Sequence, residues 1–199
     1  MRIQFLGATR TTTGSMYLFE INGKRLLLEC GLFQGHREES IQRNCRFPFD
    51  PKQIDTVVLS HAHMDHAGNL PNLCKQGYTG NIYCTFATRD LSGIMLVDSA
   101  HIQMDDAVFV SKKRAKQKLP PVEPLYTIAD AEQALKQFVA FNYDRPFPVL
   151  DGVTVTFRDA GHILGSAQVV LDVREGGRQF RYLFSGDVGR GNDEILRDP

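Results

Sequence analysis

The sequence carries no net charge: 23 lysines and arginines balance 23 aspartates and glutamates. No overall field therefore draws the chain to nucleic acid or to an anionic membrane, and any attraction for a polyanion has to be local. There is no C-x-x-C pair. Cys30, Cys45, Cys74 and Cys84 are scattered without a tight framework, which argues against a disulfide scaffold and for reduced thiols in a cytosolic protein. No apolar run reaches membrane-spanning length, and Met1 to Gly7 enters a strand pattern at once rather than a signal peptide. A cytoplasmic protein with no membrane partner is expected. Collagen-like, disordered, coiled-coil and low-complexity signatures are missing, as is any close internal repeat. What is left is 199 residues, 42% of them hydrophobic and 23% charged, a balance that suits one compact domain with a sizeable core.

Alternation predicts strands over Arg2–Leu6, Ser15–Ile21 and Lys24–Glu29, with Asn22-Gly23 as the two-residue hairpin turn. An antiparallel meander thus opens the chain. The threonine-rich loop Gly7–Gly14 reads equally as a site-facing loop or as a polar connection. A short surface helix is expected within His36–Cys45, a buried strand at Thr56–Leu59, a helix over Ala67–Gln76 ending at Gly77, and a strand at Asn81–Thr85. A long helix follows over Thr88–Val110, with Leu91, Ile94, Met95, Val97 and Ile102 as core candidates and His101 half-buried on it. Asp130–Phe138 reads as a short amphipathic helix. From Val139 the pattern returns to strands, Val153–Arg158 pairing with Gln168–Val173, and Glu175-Gly176-Gly177 turning into Gln179–Ser185. Strand, loop and helix in succession predict an α/β architecture that exposes chemistry at strand ends.

The chemistry concentrates directly after the apolar run Asp55–Ser60, where His61, His63 and His66 fall within six positions together with Asp65. Imidazole nitrogen and carboxylate oxygen are first-choice ligands for zinc-like ions, and a loop leaving a strand can turn all four side chains toward one point. The i, i+2 spacing of His61 and His63 fits an extended or looped backbone, not the helical H-E-x-x-H arrangement. His162, flanked by glycine in a loop between two strands, and Asp187, in Ser185-Gly186-Asp187 after another strand, are weak signals singly. Jointly they matter. Six ligand-type side chains at strand ends are too many for one tetrahedral zinc but suit two ions sharing a bridging carboxylate.

The pattern H-x-H-x-D-H after a strand, then G-H in a loop and G-D after a later strand, resembles the metallo-β-lactamase superfamily. The stretches Leu27–Gly35, Asp98–Ile102, Pro120–Tyr126 and Gly161–Ala167 resemble its β-CASP branch of RNA-processing nucleases, and the likeness spans essentially the whole chain. The resemblance implies an α/β fold, the αβ/βα four-layer sandwich with mixed sheets. It implies two zinc ions, the first held by His61, His63 and His162, the second by Asp65 and His66, with Asp187 bridging them. Glu29 stands where the superfamily usually has aspartate after the third strand, and its longer side chain still allows it to brace the histidine loop by hydrogen bonding. In that branch the G-D motif is followed by an acidic motif, an inserted cap domain and a returning segment with the last metal-binding histidine. Residues 1–199 are therefore expected to be the N-terminal portion of the metallo-β-lactamase domain, truncated before the cap, with the second zinc site lacking one ligand.

The activity implied is a zinc-dependent ribonuclease cleaving RNA phosphodiester bonds with a two-zinc-activated hydroxide, leaving a 5′-phosphate and a 3′-hydroxyl. Asp65, Asp187 and His162 are its catalytic candidates. Single-stranded RNA is the expected partner of the complete protein, and residues 1–199 alone are expected to be weakly active or inactive. Lys112, Lys113, Arg114, Lys116 and Lys118 form the one basic stretch, read either as a contact to the phosphate backbone or as a solvated helix face. Two other readings stay open, a hydrolase of thioesters or other small esters and amides on the same ligands, and a non-catalytic scaffold subunit. Whether copies of the chain form a homo-oligomer stays open too.

Overall fold

Asn22 and Gly23 both take the left-handed conformation, with φ of 50° and 75°, which gives the turn whose twist matches a two-residue hairpin. It joins β2 (Tyr17–Ile21) to β3 (Lys24–Leu28), and β1 (Arg2–Phe5) pairs antiparallel with β2. The computed structural model describes residues 1–199. After α1 (Arg37–Cys45), three strands add parallel to β3: β4 (Thr56–Val58), β5 (Ile82–Thr85) and β6 (Phe138–Phe141). The first sheet is thus six-stranded and mixed, in the order β1-β2-β3-β4-β5-β6. Its parallel crossovers carry α2 (Met64–Ala67), α3 (Leu70–Lys75), α4 (Phe86–Lys116) and α5 (Ile128–Leu135). The second sheet is antiparallel, built from β7 (Phe147–Leu150), β8 (Val153–Asp159), β9 (Ala167–Glu175) and β10 (Arg178–Phe184) in the order β10-β9-β8-β7.

Alternation along the central strands divides the interior in two. Leu27 and Val57 face the helices, where Leu70, Leu73, Leu96, Ala100, Tyr126 and Ala131 complete one core. Leu26, Leu28 and Val58 face the second sheet, where Phe19, Val155, Phe157, Val169 and Leu171 fill the other. This period of two is the geometry of a strand buried on both faces. Helices, first sheet and second sheet make three stacked layers, part of the expected four-layer mixed α/β sandwich. No helix is long and apolar enough to cross a membrane.

Several elements differ in extent from the sequence reading. The helix expected over Ala67–Gln76 is two short helices, since residues 68 and 69 separate α2 from α3 and Pro71 opens the second. The long helix begins earlier, with Thr85 Oγ1 accepting from the Thr88 amide, and runs six residues past Val110 to Lys116. On it Ile94, Ile102 and His101 are exposed, so the first two are not core residues and His101 is not half-buried. The helix expected from Asp130 starts at Ile128, where Thr127 and Asp130 close a capping box, and ends before Phe138, which begins β6.

Candidate metal centre

Phe5, Tyr17, Leu28, Val58 and Tyr83 lie side by side across the first sheet, so the C-terminal ends of β1, β3, β4 and β5 share one edge. From the end of β4 the chain continues buried through Leu59, Ser60 and His61. His63 then stands at the start of α2, which carries Asp65 and His66. The second sheet reaches the same edge, because the Ala167 amide donates to the Ser60 carbonyl at 2.9 Å. That bond places the β8–β9 loop with His162, and the segment after β10 with Asp187, beside the histidine run.

The ligand atoms form two groups that share one residue. His61 Nε2 and His162 Nε2 each lie 3.1 Å from His63 Nδ1. Zinc–nitrogen bonds of about 2.0–2.1 Å in tetrahedral geometry separate ligand nitrogens by about 3.3 Å, so this donor set fits a zinc ion. Asp187 Oδ2 completes the group at 3.8 Å from His61 Nε2 and 3.5 Å from His162 Nε2. Its other oxygen, Oδ1, lies 3.3 Å from His66 Nε2, which is also 3.7 Å from Asp65 Oδ2. One carboxylate therefore faces both groups. All six of the expected ligands converge here.

Hydrogen bonds behind the ligands set their orientation. Glu29 Oε2 accepts from His66 Nδ1 at 2.5 Å, leaving Nε2 directed at the carboxylates. The Ser60 hydroxyl donates to Glu29 Oε2 at 2.8 Å and, 2.9 Å from His61 Nδ1, accepts from that nitrogen, which frees His61 Nε2 as a lone-pair donor. The Ser60 amide donates to Glu29 Oε1 at 2.7 Å. Glu29, His61 and His66 also offer ligand atoms close together, but both Glu29 oxygens are engaged by Ser60 and His66. Glu29 therefore acts as a brace. Ser60 and Ser166 were missed in the sequence; the Ser166 hydroxyl accepts from the amides of His162 and Ile163 at 3.0 and 3.2 Å. Ser60 had one visible signal, a polar residue ending an apolar run next to a histidine.

Burial, followed by the neighbouring imidazoles of His66, His63 and His162, pushes the pKa of His61 down to about 2. His63 is lowered too, by burial and then by His162. Burial also opposes the charged form of His66, but the hydrogen bond and charge of Glu29, then Asp187 and Asp65, outweigh it and raise the pKa. Two neutral imidazoles and one of raised basicity thus stand together, the neutral pair already in the form that ligates a metal.

The basic stretch lies elsewhere. The start of α4 touches the His162 loop, since the hydroxyls of Thr85 and Thr88 donate to the Gly165 carbonyl at 2.7 and 2.8 Å. A rise of 1.5 Å per residue places Lys112 about 39 Å along the helix from Phe86. Lys112, Lys113, Arg114 and Lys116 occupy the final turns of α4 and Lys118 follows them. Among these, Arg114 Nε holds the Pro120 carbonyl at 2.7 Å and Lys113 lies over the Phe109 ring.

Four imidazoles and two carboxylates meet at the strand ends of a two-sheet α/β sandwich, a donor set that could hold metal. The sequence profile of the metallo-beta-lactamase superfamily matches residues 9–199, and the chain belongs to that superfamily. Ribonuclease TTHA0252 of Thermus thermophilus is 38% identical over 199 residues, covering 100% of this chain and 40% of the ribonuclease. Transcription termination factor FttA of Methanocaldococcus jannaschii is 29% identical over 188 residues, 94% of this chain and 27% of the factor. With these relatives the resemblance to the β-CASP RNA-processing branch holds. Among solved structures, the subclass B3 metallo-beta-lactamase MEM-A1 from a soil metagenome library superposes with a TM-score of 0.53 at 16% identity, over 92% of this chain and 59% of the lactamase. That likeness concerns the fold. The chain spans about 40% of the length of the Thermus ribonuclease.

Proposed function

We propose that residues 1–199 form the metal-binding core of a zinc-dependent ribonuclease that hydrolyses phosphodiester bonds in single-stranded RNA, acting in the cytoplasm. The observation that carries this reading is the division of Asp187, with Oδ2 facing His61 and His162 and Oδ1 facing His66. A carboxylate placed this way suits two cations held side by side, the arrangement used for in-line displacement at phosphorus. His61, His63 and His162 would hold one ion, Asp65 and His66 the other, with Asp187 between them. Zinc, when bound, lowers the pKa of water toward neutrality and stabilises charge on the phosphoryl oxygens.

The chain's own residues do the rest. Asp65 and Asp187 would supply the negative charge that holds cations here and would orient an attacking water. Glu29 and Ser60 fix the rings of His66 and His61 before substrate arrives, so little reorganisation accompanies the reaction. His162 closes the cluster from the second sheet. The names of the Thermus ribonuclease and the archaeal termination factor favour RNA over a thioester or lactam.

The test is cleavage of a 5′-labelled single-stranded RNA by the whole zinc-loaded protein, with the product ends identified. Products with 5′-phosphate and 3′-hydroxyl ends, abolished by Asp187→Ala, support the reading. A thioester turned over in preference to RNA refutes it.

A further inference from the structure

A cavity opens on the sheet edge that carries the candidate metal ligands. The loop Gly7–Gly14 leaves β1 there, the segment Gly31–Gly35 leaves β3, and residues at the end of α1 close the space between them into a cavity of about 300 Å³. Its lining includes Thr9, Thr11, Thr13, Phe33, Arg43 and Arg46. Nothing in the proposed hydrolysis uses these residues.

The walls are fixed in place. Asn44 clamps Phe33 from both sides, Oδ1 accepting from the Phe33 amide at 2.8 Å and Nδ2 donating to its carbonyl at 2.9 Å. Thr13 does the same for Gln34, its hydroxyl accepting from the amide at 2.9 Å and donating to the carbonyl at 3.2 Å. The Arg43 guanidinium lies 4.1 Å from the Phe33 ring centroid and pairs with Glu39 at 2.7 Å. Arg46 is exposed and pairs with no carboxylate.

The floor of the cavity is bonded to the ligand helix. The Ser15 amide donates to the Asp65 carbonyl at 2.8 Å, the Gly31 amide to the Ser15 carbonyl at 3.0 Å, and the Leu32 amide to the Met64 carbonyl at 2.8 Å. The cavity floor and the metal centre are therefore joined through the short α2 segment.

We infer that this cavity is a nucleotide subsite for the single-stranded RNA substrate, with Arg46 taking a backbone phosphate and the Phe33–Arg43 pair offering a stacking surface to a base. Its volume lies at the small end of the usual 300–1,000 Å³ range for ligand sites, a size for one nucleotide and not for a duplex. Aromatic rings and guanidinium planes are how proteins hold unpaired bases, and an unpaired arginine on the rim is the group that takes a phosphate oxygen. The Thr9 and Thr11 hydroxyls each donate to a carbonyl of their own loop, at 3.2 and 3.4 Å, and keep an acceptor lone pair of the kind a ribose 2′-hydroxyl can donate to. The charge required for RNA is local in a chain of zero net charge, and Arg43 and Arg46 supply it at this cavity.

This inference rests on the RNA reading above, and the experiment separates the two. Steady-state cleavage of a short single-stranded RNA is measured over a range of salt with the whole zinc-loaded protein, its Arg46→Ala and Arg46→Lys variants and Phe33→Leu; thermal melting checks folding. Arg46→Ala and Phe33→Leu are expected to raise KM about tenfold, with kcat within twofold, as for loss of one stacked base or one charged contact. In Arg46→Ala the slope of log KM against log salt falls by about 0.7, the signature of one lost phosphate contact on a single strand. Arg46→Lys restores most of that slope, which a merely structural role for Arg46 would not do. Unchanged KM and salt slope, or a fall in kcat alone, with wild-type cleavage intact, overturns the subsite and leaves the nuclease standing. Absence of RNA cleavage by the wild type overturns both.

Discussion

Glu29 Oε2 lies 2.5 Å from His66 Nδ1, and neither side chain has more than 7% of its surface exposed. The glutamate arrives in the left-handed conformation, φ 66°, directly after β3. That turn of the backbone carries its carboxylate beneath both Ser60 and His66. The extra methylene relative to aspartate is accommodated, and the bracing hydrogen bonds are made.

Replacing this brace weakens metal binding without dismantling the fold. Glu29→Gln keeps an acceptor for Ser60 but removes the charge that raises the basicity of His66. Loss of such an outer partner costs about 10- to 100-fold in metal affinity. Competition titration with a zinc chelator is expected to show that loss at one of the two sites; unaltered affinity at both would remove Glu29 from the metal centre.

Gly31 is required for a different reason, close approach. A Cβ there would lie 1.6 Å from the Asp65 carbonyl oxygen and 2.2 Å from its carbon, so Gly31→Ala displaces α2 and the ligands on it. Overpacking of this kind costs about 1–3 kcal/mol, and urea unfolding of the variant should show it together with weakened zinc binding. A variant with wild-type stability and zinc affinity would mean that α2 can shift without cost.

The histidines give the metal-free protein a stability optimum in pH. His61 is held near a pKa of about 2 when folded, against roughly 6.5 unfolded. Below pH 6.5 the unfolded chain takes up a proton that folded His61 refuses, so stability falls as the pH drops. His66 has the opposite sign: its raised pKa gives stability that is complete below pH 6.5 and is lost as the pH rises through its folded value. Urea unfolding of the metal-free protein between pH 5 and 8 is expected to peak near 6.5. His61→Asn should flatten the acid limb by up to about 1.4 kcal/mol per pH unit; an unaltered acid slope would mean that His61 is charged in the folded state.

The core between the sheets is separable from the site. Phe157 has no exposed surface and sits among Phe19, Val155, Val169 and Leu171, so Phe157→Ala is expected to cost about 3–5 kcal/mol. Zinc stoichiometry should be unchanged at temperatures where the variant stays folded. Loss of zinc from a folded variant would show that the two are coupled.

Much of this was legible in the sequence where a local rule governs. Asn22-Gly23 names its own turn, the apolar run at Thr56–Leu59 announces a buried strand, and the histidine run brings together side chains of the kind that ligate metal. The boundaries were harder. Nothing apolar marks Ser111–Lys116 as the end of α4, because the helix continues there on the propensity of lysine, arginine and alanine with little core to face. The break between α2 and α3 serves the placement of Asp65 and His66 and leaves no periodic trace. Ser60 and Ser166 depend on partners that only strand pairing brings near, and the cavity beside α2 is assembled from three segments far apart in the chain. The basic stretch shows the converse: its composition was plain, but only the direction of α4 reveals that it lies about 39 Å from where the helix meets the His162 loop.

The most direct test is anomalous diffraction at the zinc edge from crystals of the whole protein grown with zinc. Two peaks are expected, one about 2.0–2.1 Å from nitrogens of His61, His63 and His162 and one beside His66 Nε2 and Asp65, with Asp187 in contact with both. A single peak bound by Glu29, or no peak among these residues, would contradict the two-ion centre and the nuclease built on it.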